Sequence, residues 1–380
     1  MSETSAKNPK SLLQRIFGSS SEPRPSPVVK APANPIVRRL RRPKRPGPPP
    51  GKPIFSPERQ SRSILESAPV ERRLEGVTTW AYQLQNQNVA AVAACAADVV
   101  VIDPTPDGGE YFARSQVDTM RRRPGAKDKV LIAYMSIGEA EEGRFYWKPS
   151  WAEGPSTRRK LTRKAPPWLD AQNDGGWRDN YKVKYWDKDW QSIILGDGDS
   201  AMNRIIASGF DGVYLDIIDA YDYYQKKGRA TAPAEMVDFV VRIAREGRKR
   251  NPNFYVIPQN GEGLLEDAVY RSYISAIGKE DILFYQPEDM DINDQQRVVR
   301  NSADTVRSVT ETLEQAKSAN IPVLSVEYLR DDTENRKLIG KTTDEVRKLG
   351  YVPYFGDRHL TKLFPIISPA AKAGNGEPMV

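Results

Sequence analysis

The chain has 380 residues and a formal charge of +7, which is the sum of two unlike parts. Residues 1–65 hold 14 Lys/Arg against 3 Asp/Glu and 13 of the 30 prolines, whereas the remaining body carries a mildly acidic −4. A single cysteine (Cys95) and a single histidine (His359) exclude an internal disulfide framework, a Cys-based zinc site and a clustered-His site, and no apolar run is long enough to span a membrane.

The Pro-rich, Ser-rich and basic N-terminal stretch offers no apolar face that could offset the entropy of ordering, so residues 1–70 read as a disordered tail. Its nearest approach to a secretory core, Ser11 to Phe17, is interrupted by Gln14 and Arg15. No secretion signal is expected, and the default placement is cytoplasmic. Residues 367–380 read as a flexible C-terminal tail.

Between these tails, residues 71–366 alternate short apolar runs with helical patterns. Strands are expected at Val77–Leu84, Val99–Asp103, Val130–Ile137, Gly212–Asp216, Phe254–Gln259, an interrupted Ile274–Phe284, Val323–Tyr328 and Val352–Phe355. Each is nearly continuous in apolar residues and too short for a helix, which is how strands buried on both faces read. Helices are expected over Glu235–Lys249 and Ala303–Ser318, the second stopped by Pro322. Eight strands alternating with helices over about 300 residues suit a single α/β (β/α)8 TIM barrel. A doubly wound open sheet is the competing architecture.

In such a barrel the chemistry lies where strands end. Asp103 closes the second strand, Glu139 and Glu141 follow the third, and Asp216 closes the fourth. Gln259-Asn260-Gly261 ends the fifth, Glu280-Asp281 lies on the sixth, Glu327-Tyr328 ends the seventh, and Asp357 follows the eighth. Carboxylates gathered at one mouth raise one another's proton affinity, as acid/base work requires. Paired carboxylates without His or Cys point to glycoside hydrolysis, with one carboxyl as acid and the other as nucleophile or base. Bottom-up, Glu280 and Glu327 stand equal as the partner of Asp216.

Six of the seven tryptophans fall between Gly143 and Gln191, among them Trp147 and Trp186. Such rings could wall a sugar groove or form a satellite core under a long loop. Gly261-Glu262-Gly263 lacks the third glycine of a dinucleotide fingerprint, Glu266 standing there, so no cofactor is expected. No metal is expected either, since the acidic residues have no EF-hand-like spacing.

The strings Ala133-Tyr134-Met135-Ser136-Ile137-Gly138-Glu139-Ala140-Glu141, Tyr185-Trp186-Asp187-Lys188-Asp189-Trp190, Gly209 to Tyr221 around Asp216, Pro258-Gln259-Asn260-Gly261 and Val326-Glu327-Tyr328 resemble glycoside hydrolase family 114 in the same order. These are the endo-α-1,4-polygalactosaminidases. The resemblance implies a (β/α)8 hydrolase that cuts internally in an α-1,4-linked galactosamine or N-acetylgalactosamine polymer. It carries the catalytic roles onto Asp216 and Glu280, and it leaves Glu327 as a substrate-binding or pKa-tuning group. Asp103, Tyr134, Glu139, Asn260 and Tyr328 become groove residues, with Trp147 and Trp186 as substrate-binding rings. Family members are commonly exported, which the expected lack of a signal does not match.

An amino-sugar polysaccharide is thus the expected partner. The acidic body argues against nucleic acid, for which only the tail speaks. A catalytically silent glycan-binding barrel is the alternative. A partly deacetylated galactosamine polymer carries ammonium groups that a carboxylate-rich mouth attracts, so activity is expected to fall as salt rises.

Overall fold

The structure is a computed structural model. It describes residues 54, 55 and 59, then 73–368 apart from 107–108, 124, 174–176, 288–297 and 330–334. Most of the expected N-terminal tail and the C-terminal tail lie outside the described residues.

Eight short strands run parallel. They are β1 (Trp80–Gln83), β2 (Val99–Ile102), β3 (Val130–Ser136), β4 (Gly212–Asp216), β5 (Tyr255–Pro258), β6 (Ile277–Glu280), β7 (Val323–Glu327) and β8 (Val352–Phe355). Each lies within a run expected from the sequence. The first five form one sheet in chain order and the last three a second. A parallel bridge between Gln259 and Gly278 joins β5 to β6. Across the other edge, the Trp80 indole donates to the Val352 carbonyl at 3.0 Å, and Leu84 N–H donates to Leu360 O at 2.9 Å. No ladder pairs β1 with β8 among the described residues.

The strands other than β6 (Ile-Gly-Lys-Glu) are mostly apolar because both faces are covered. One face meets helices such as Ala232–Arg250, whose Met236, Phe239, Val240, Ile243 and Ala244 are all buried. This helix starts three residues earlier than the sequence suggested, with Pro233 in its first turn, where a missing N–H costs nothing. Ala303–Ser318 begins where Ser302 Oγ accepts the N–H of Thr305. The other face is aromatic. Tyr214 lies 5.1 Å from Tyr82 and 6.2 Å from Trp80, which is 5.5 Å from Tyr354. This layer underlies the ends of β3, β4 and β6. A Cβ at Gly278 would collide with the Tyr214 hydroxyl, so only glycine lets β6 close over that ring.

The long segment after β3 folds on its own aromatic core. Trp151 meets Trp168 at 5.4 Å, Trp168 meets Trp190 at 4.9 Å, and the Trp190 indole donates to Ile137 O at 2.9 Å. Of the two roles open to these rings, packing accounts for most.

Three described residues fall within the stretch expected to be a tail, and they pack on the body. Phe55 is 4% exposed, Ile54 N–H donates to Glu266 at 2.8 Å, and Arg59 pairs with Asp238 and Asp267 at 2.9 and 3.0 Å. The apolar Ile54-Phe55 pair within the Pro-rich run is the physical reason.

Candidate active site

β4 ends in Asp216, and three donors converge on its carboxylate. Tyr134 Oη donates to Oδ2 at 2.7 Å from the adjacent β3, while Gln259 Nε2 from the end of β5 and the N–H of Ile217 donate to Oδ1 at 2.9 and 2.8 Å. β6 ends in Glu280. Its Oε2 accepts from Asn260 Nδ2 at 2.8 Å, and its Oε1 accepts from the Tyr328 hydroxyl after β7.

The Asn260 amide has only one workable orientation. Its Oδ1 accepts from Glu280 N–H at 3.2 Å and from Lys279 Nζ at 3.1 Å, so the NH2 group must face Glu280. Lys279 is held in turn by Glu262 at 3.5 Å. Each carboxyl therefore has one oxygen fixed as an acceptor by nitrogen donors and one oxygen facing a tyrosine.

The backbone turns sharply beneath both groups. Ile217, Asn260 and Asp281 have φ of 57°, 58° and 55°. A left-handed conformation is ordinary for Asn and Asp but costly for a β-branched residue such as Ile217, on the order of 1–3 kcal/mol. Gly138 makes room for that turn, because a Cβ there would strike Ile217 O.

Loss of hydration at the recessed mouth, then the nearby Glu280 charge, pushes the Asp216 carboxyl well above its ordinary range; the Tyr134 and Ile217 hydrogen bonds oppose this. A carboxyl raised in this way holds its proton toward neutral pH. On Asp216 the oxygen that faces Tyr134 carries no backbone N–H, unlike the oxygen bonded by Ile217. One acid and one carboxylate side by side are what protonation of a glycosidic oxygen and attack or base catalysis at the anomeric carbon demand.

The other expected residues divide. Tyr134, Asn260 and Tyr328 contact the pair directly. Asp103 accepts from both terminal nitrogens of Arg144, at 2.9 and 2.7 Å, and Arg144 also pairs with Glu141 at 2.6 Å and lies 5.9 Å from the Tyr134 ring centre. Asp103 thus touches neither carboxyl and binds Arg144 beside the Tyr134 ring. Glu139 is buried and accepts from Asn173 Nδ2 at 2.9 and 3.0 Å.

Glu327 differs from expectation. It is 1% exposed, and its two oxygens accept the backbone N–H groups of Leu283 and Phe284 at 2.9 and 3.0 Å. Burial pushes it up to about 8 against those bonds. It pins the segment after β6 and presents no oxygen to a groove. Trp147 and Trp186 are likewise engaged by protein: Trp147 stacks on Tyr181 at 4.8 Å, and Arg229 covers Trp186 at 3.8 Å. Trp177, 38% exposed and 5.4 Å from His359, and Phe145, 39% exposed, are the rings of this segment that face solvent.

Gln259, Arg144, Lys279 and Arg358 were missed as site residues. Gln259 had a signal, since it sits at a strand end beside Asn260. Arg144 and Arg358 had little, because their roles come from loops folding back onto carboxylates. Among the described residues no group of three or more His, Cys, Asp or Glu is arranged to hold a metal ion, and no helix is long and apolar enough to cross a membrane.

The model of glycoside-hydrolase family GH114 matches residues 62–371, most of the chain and every strand named above. This chain belongs to family GH114. The GH114 protein is similar to an uncharacterized protein of Deinococcus radiodurans, with 34% identity over 293 residues that cover 76% of this chain and 83% of that one. It is also similar to one from Methanocaldococcus jannaschii, with 33% identity covering 75% and 77% of the two chains. In fold it is similar to the glycoside hydrolase domain of PelA from Pseudomonas aeruginosa, at a TM-score of 0.57 and 15% identity, covering 77% of this chain and 99% of that domain. Family membership makes the GH114 protein a glycoside hydrolase and a polysaccharide its class of substrate.

Proposed function

We propose that this GH114 protein is an endo-acting hydrolase of α-1,4-linked galactosamine and N-acetylgalactosamine polymers, with Asp216 and Glu280 as its catalytic pair. The observation that carries the reading is the matched pair of carboxyls at the ends of β4 and β6, each with one oxygen accepting from nitrogen donors and one oxygen facing a tyrosine. One of them supplies the proton to the leaving oxygen, and the other acts as nucleophile or as base for water. Tyr134 and Tyr328 are the groups through which that proton is held. The named domain of the similar structure, and the sequence motifs around Asp216 and Glu280, support the choice of reaction.

In this reading residues 71–366 form a closed (β/α)8 barrel, with β1 and β8 meeting through the Trp80–Val352 contact. Residues 1–70 and 367–380 are tails, the first anchored near its end by Ile54, Phe55 and Arg59. The substrate assignment rests on the family motifs and on the acidic body, which attracts a polymer bearing ammonium groups.

The test is a panel of α- and β-linked amino-sugar polymers, with product masses read out after incubation. Internal cleavage confined to α-1,4-galactosamine polymers supports the proposal. Release of products only from β-linked chains, or tight binding of the α-linked polymer with no product at all, overturns it.

A further inference from the structure

Lys279 is a lysine in a place where lysine is rarely found. Its side chain is 14% exposed, one residue before the reacting carboxyl of Glu280 on β6. Gly278 faces the Tyr214 ring, so strand alternation sends Glu280 to that same interior side and Lys279 to the other. A cation on the far side of the strand reaches Glu280 only through a neighbour.

That neighbour is Asn260. The end of β5 turns there in a left-handed conformation, with φ of 58°, and the Asn260 N–H donates to Gly278 O at 2.9 Å. The turn sets the side-chain amide over residues 279 and 280. Oδ1 accepts from Lys279 Nζ at 3.1 Å and from Glu280 N–H at 3.2 Å, while Nδ2 donates to Glu280 Oε2 at 2.8 Å. The result is an unbroken run from ammonium through amide to carboxyl. In such a run each hydrogen bond polarises the next, so a cation on the amide oxygen makes the amide N–H a stronger donor. The ammonium also meets Glu262 Oε1 at 3.5 Å, from the turn after β5, which is the looser of the two contacts.

We infer that Lys279 is a positioning residue for Glu280, acting through the Asn260 amide to hold one carboxyl oxygen fixed while the other meets Tyr328. The inference rests on the Asp216–Glu280 reading above and extends it to a charge on the far side of the strand. Whether Glu280 is the acid or the carboxylate of the pair, it is charged at one stage of the reaction. The polarised amide favours that stage. Glu262, Glu280, Asp281 and Asp219 all draw on this ammonium, so a simpler role, the neutralising of Glu262, has to be told apart from the one proposed.

The test measures kcat and KM on an α-1,4-galactosamine oligomer for wild type, Lys279→Met, Lys279→Arg and Lys279→Met combined with Glu262→Gln. Folding is checked by circular dichroism, and Lys279→Gln replaces the methionine variant if that one does not fold. Loss of a charge-assisted hydrogen bond is expected to lower kcat about tenfold or more in the neutral variants, with KM nearly unchanged. Arginine keeps the cation and should restore most of the rate, whereas removing the Glu262 charge as well should restore none. In an Asn260→Ala background the further loss from Lys279→Met should shrink to about twofold or less, because a relay already broken has nothing left to lose.

An unchanged kcat in the neutral variants overturns the inference, as does recovery in the combined variant or a full additive loss without Asn260. A second readout needs no turnover. The side-chain NH2 protons of Asn260, followed by 15N-edited NMR, should move upfield and exchange faster with solvent in Lys279→Met, and unmoved signals overturn the inference. If wild type cuts no oligomer, the proposed function falls, and those NH2 signals alone decide whether Lys279 acts on Glu280 through Asn260.

Discussion

Asp216 and Glu280 each combine a fixed side and a tyrosine side. The backbone N–H of Ile217 on Asp216 Oδ1 cannot reverse, so a proton on Asp216 is favoured on the oxygen that faces Tyr134. The arrangement also fixes a pH dependence. Asp216 is raised first by lost hydration and then by the charge of Glu280, so the proton the pair needs is retained through the usual carboxyl range and is lost only well above it. Activity is therefore expected to persist toward neutral pH and to fall as pH rises through the raised pKa. Glu280→Gln removes the second cause and leaves the first. A 13C titration of the labelled Asp216 carboxyl should move to lower pH in that variant while staying above an ordinary aspartate. An unmoved titration would show that the two carboxyls do not interact.

Asp216, Glu280, Tyr134, Asn260 and Tyr328 were legible from strand ends and motifs, because strand alternation carries them to one place. Glu327 was not legible as a brace, since its role depends on where the backbone of Leu283 and Phe284 runs. Arg144 and Arg358 lie in loops, and no spacing rule links a loop arginine to a carboxylate on a distant strand.

At the scale of elements, the eight strands announced themselves as apolar runs with both faces buried, whereas their ends carry the information about the site. Turning in left-handed conformations at Ile217, Asn260 and Asp281 lets β4, β5 and β6 present polar groups at one level. Gly138 supplies the close approach that the Ile217 turn needs, and Gly278 the approach of β6 to the Tyr214 ring. Gly278→Ala drives a Cβ against the Tyr214 hydroxyl beneath Glu280 and should cost about 1–3 kcal/mol, as overpacking does, with a larger relative loss of activity. Thermal unfolding together with kcat reads both effects, and unaltered stability would place the ring of Tyr214 elsewhere. The aromatic segment after β3 was ambiguous in sequence because packing rings and sugar-stacking rings are the same residues. Burial separates them, leaving Trp177 and Phe145 as the solvent-facing ones.

For the whole molecule, the charge of +7 joins a basic N-terminal stretch to an acidic body. The body's sign matters for the substrate, so raising salt from about 0.01 M to about 0.15 M, which shortens screening from ~30 Å to ~8 Å, should lower kcat/KM on a partly deacetylated polymer more than on an acetylated one. Equal salt dependence on the two would remove electrostatic attraction from the account. Among the described residues of the N-terminal stretch, Ile54, Phe55 and Arg59 pack on the body. Truncation before residue 50 should leave the unfolding temperature unchanged, whereas truncation to residue 71 removes Phe55 and the Arg59 pairs with Asp238 and Asp267 and should lower it. Identical melting of the two truncated forms would show that this segment contributes nothing.

The central claim is that Asp216 and Glu280 together cut an α-1,4-galactosamine polymer. It is tested most directly by product release from that polymer by wild type, Asp216→Asn and Glu280→Gln, each checked for folding by circular dichroism. The account predicts internal cleavage by wild type and a loss of at least about a hundredfold in kcat for each folded variant, the lower bound of an acid/base contribution. Turnover at the wild-type rate in either folded variant would contradict it.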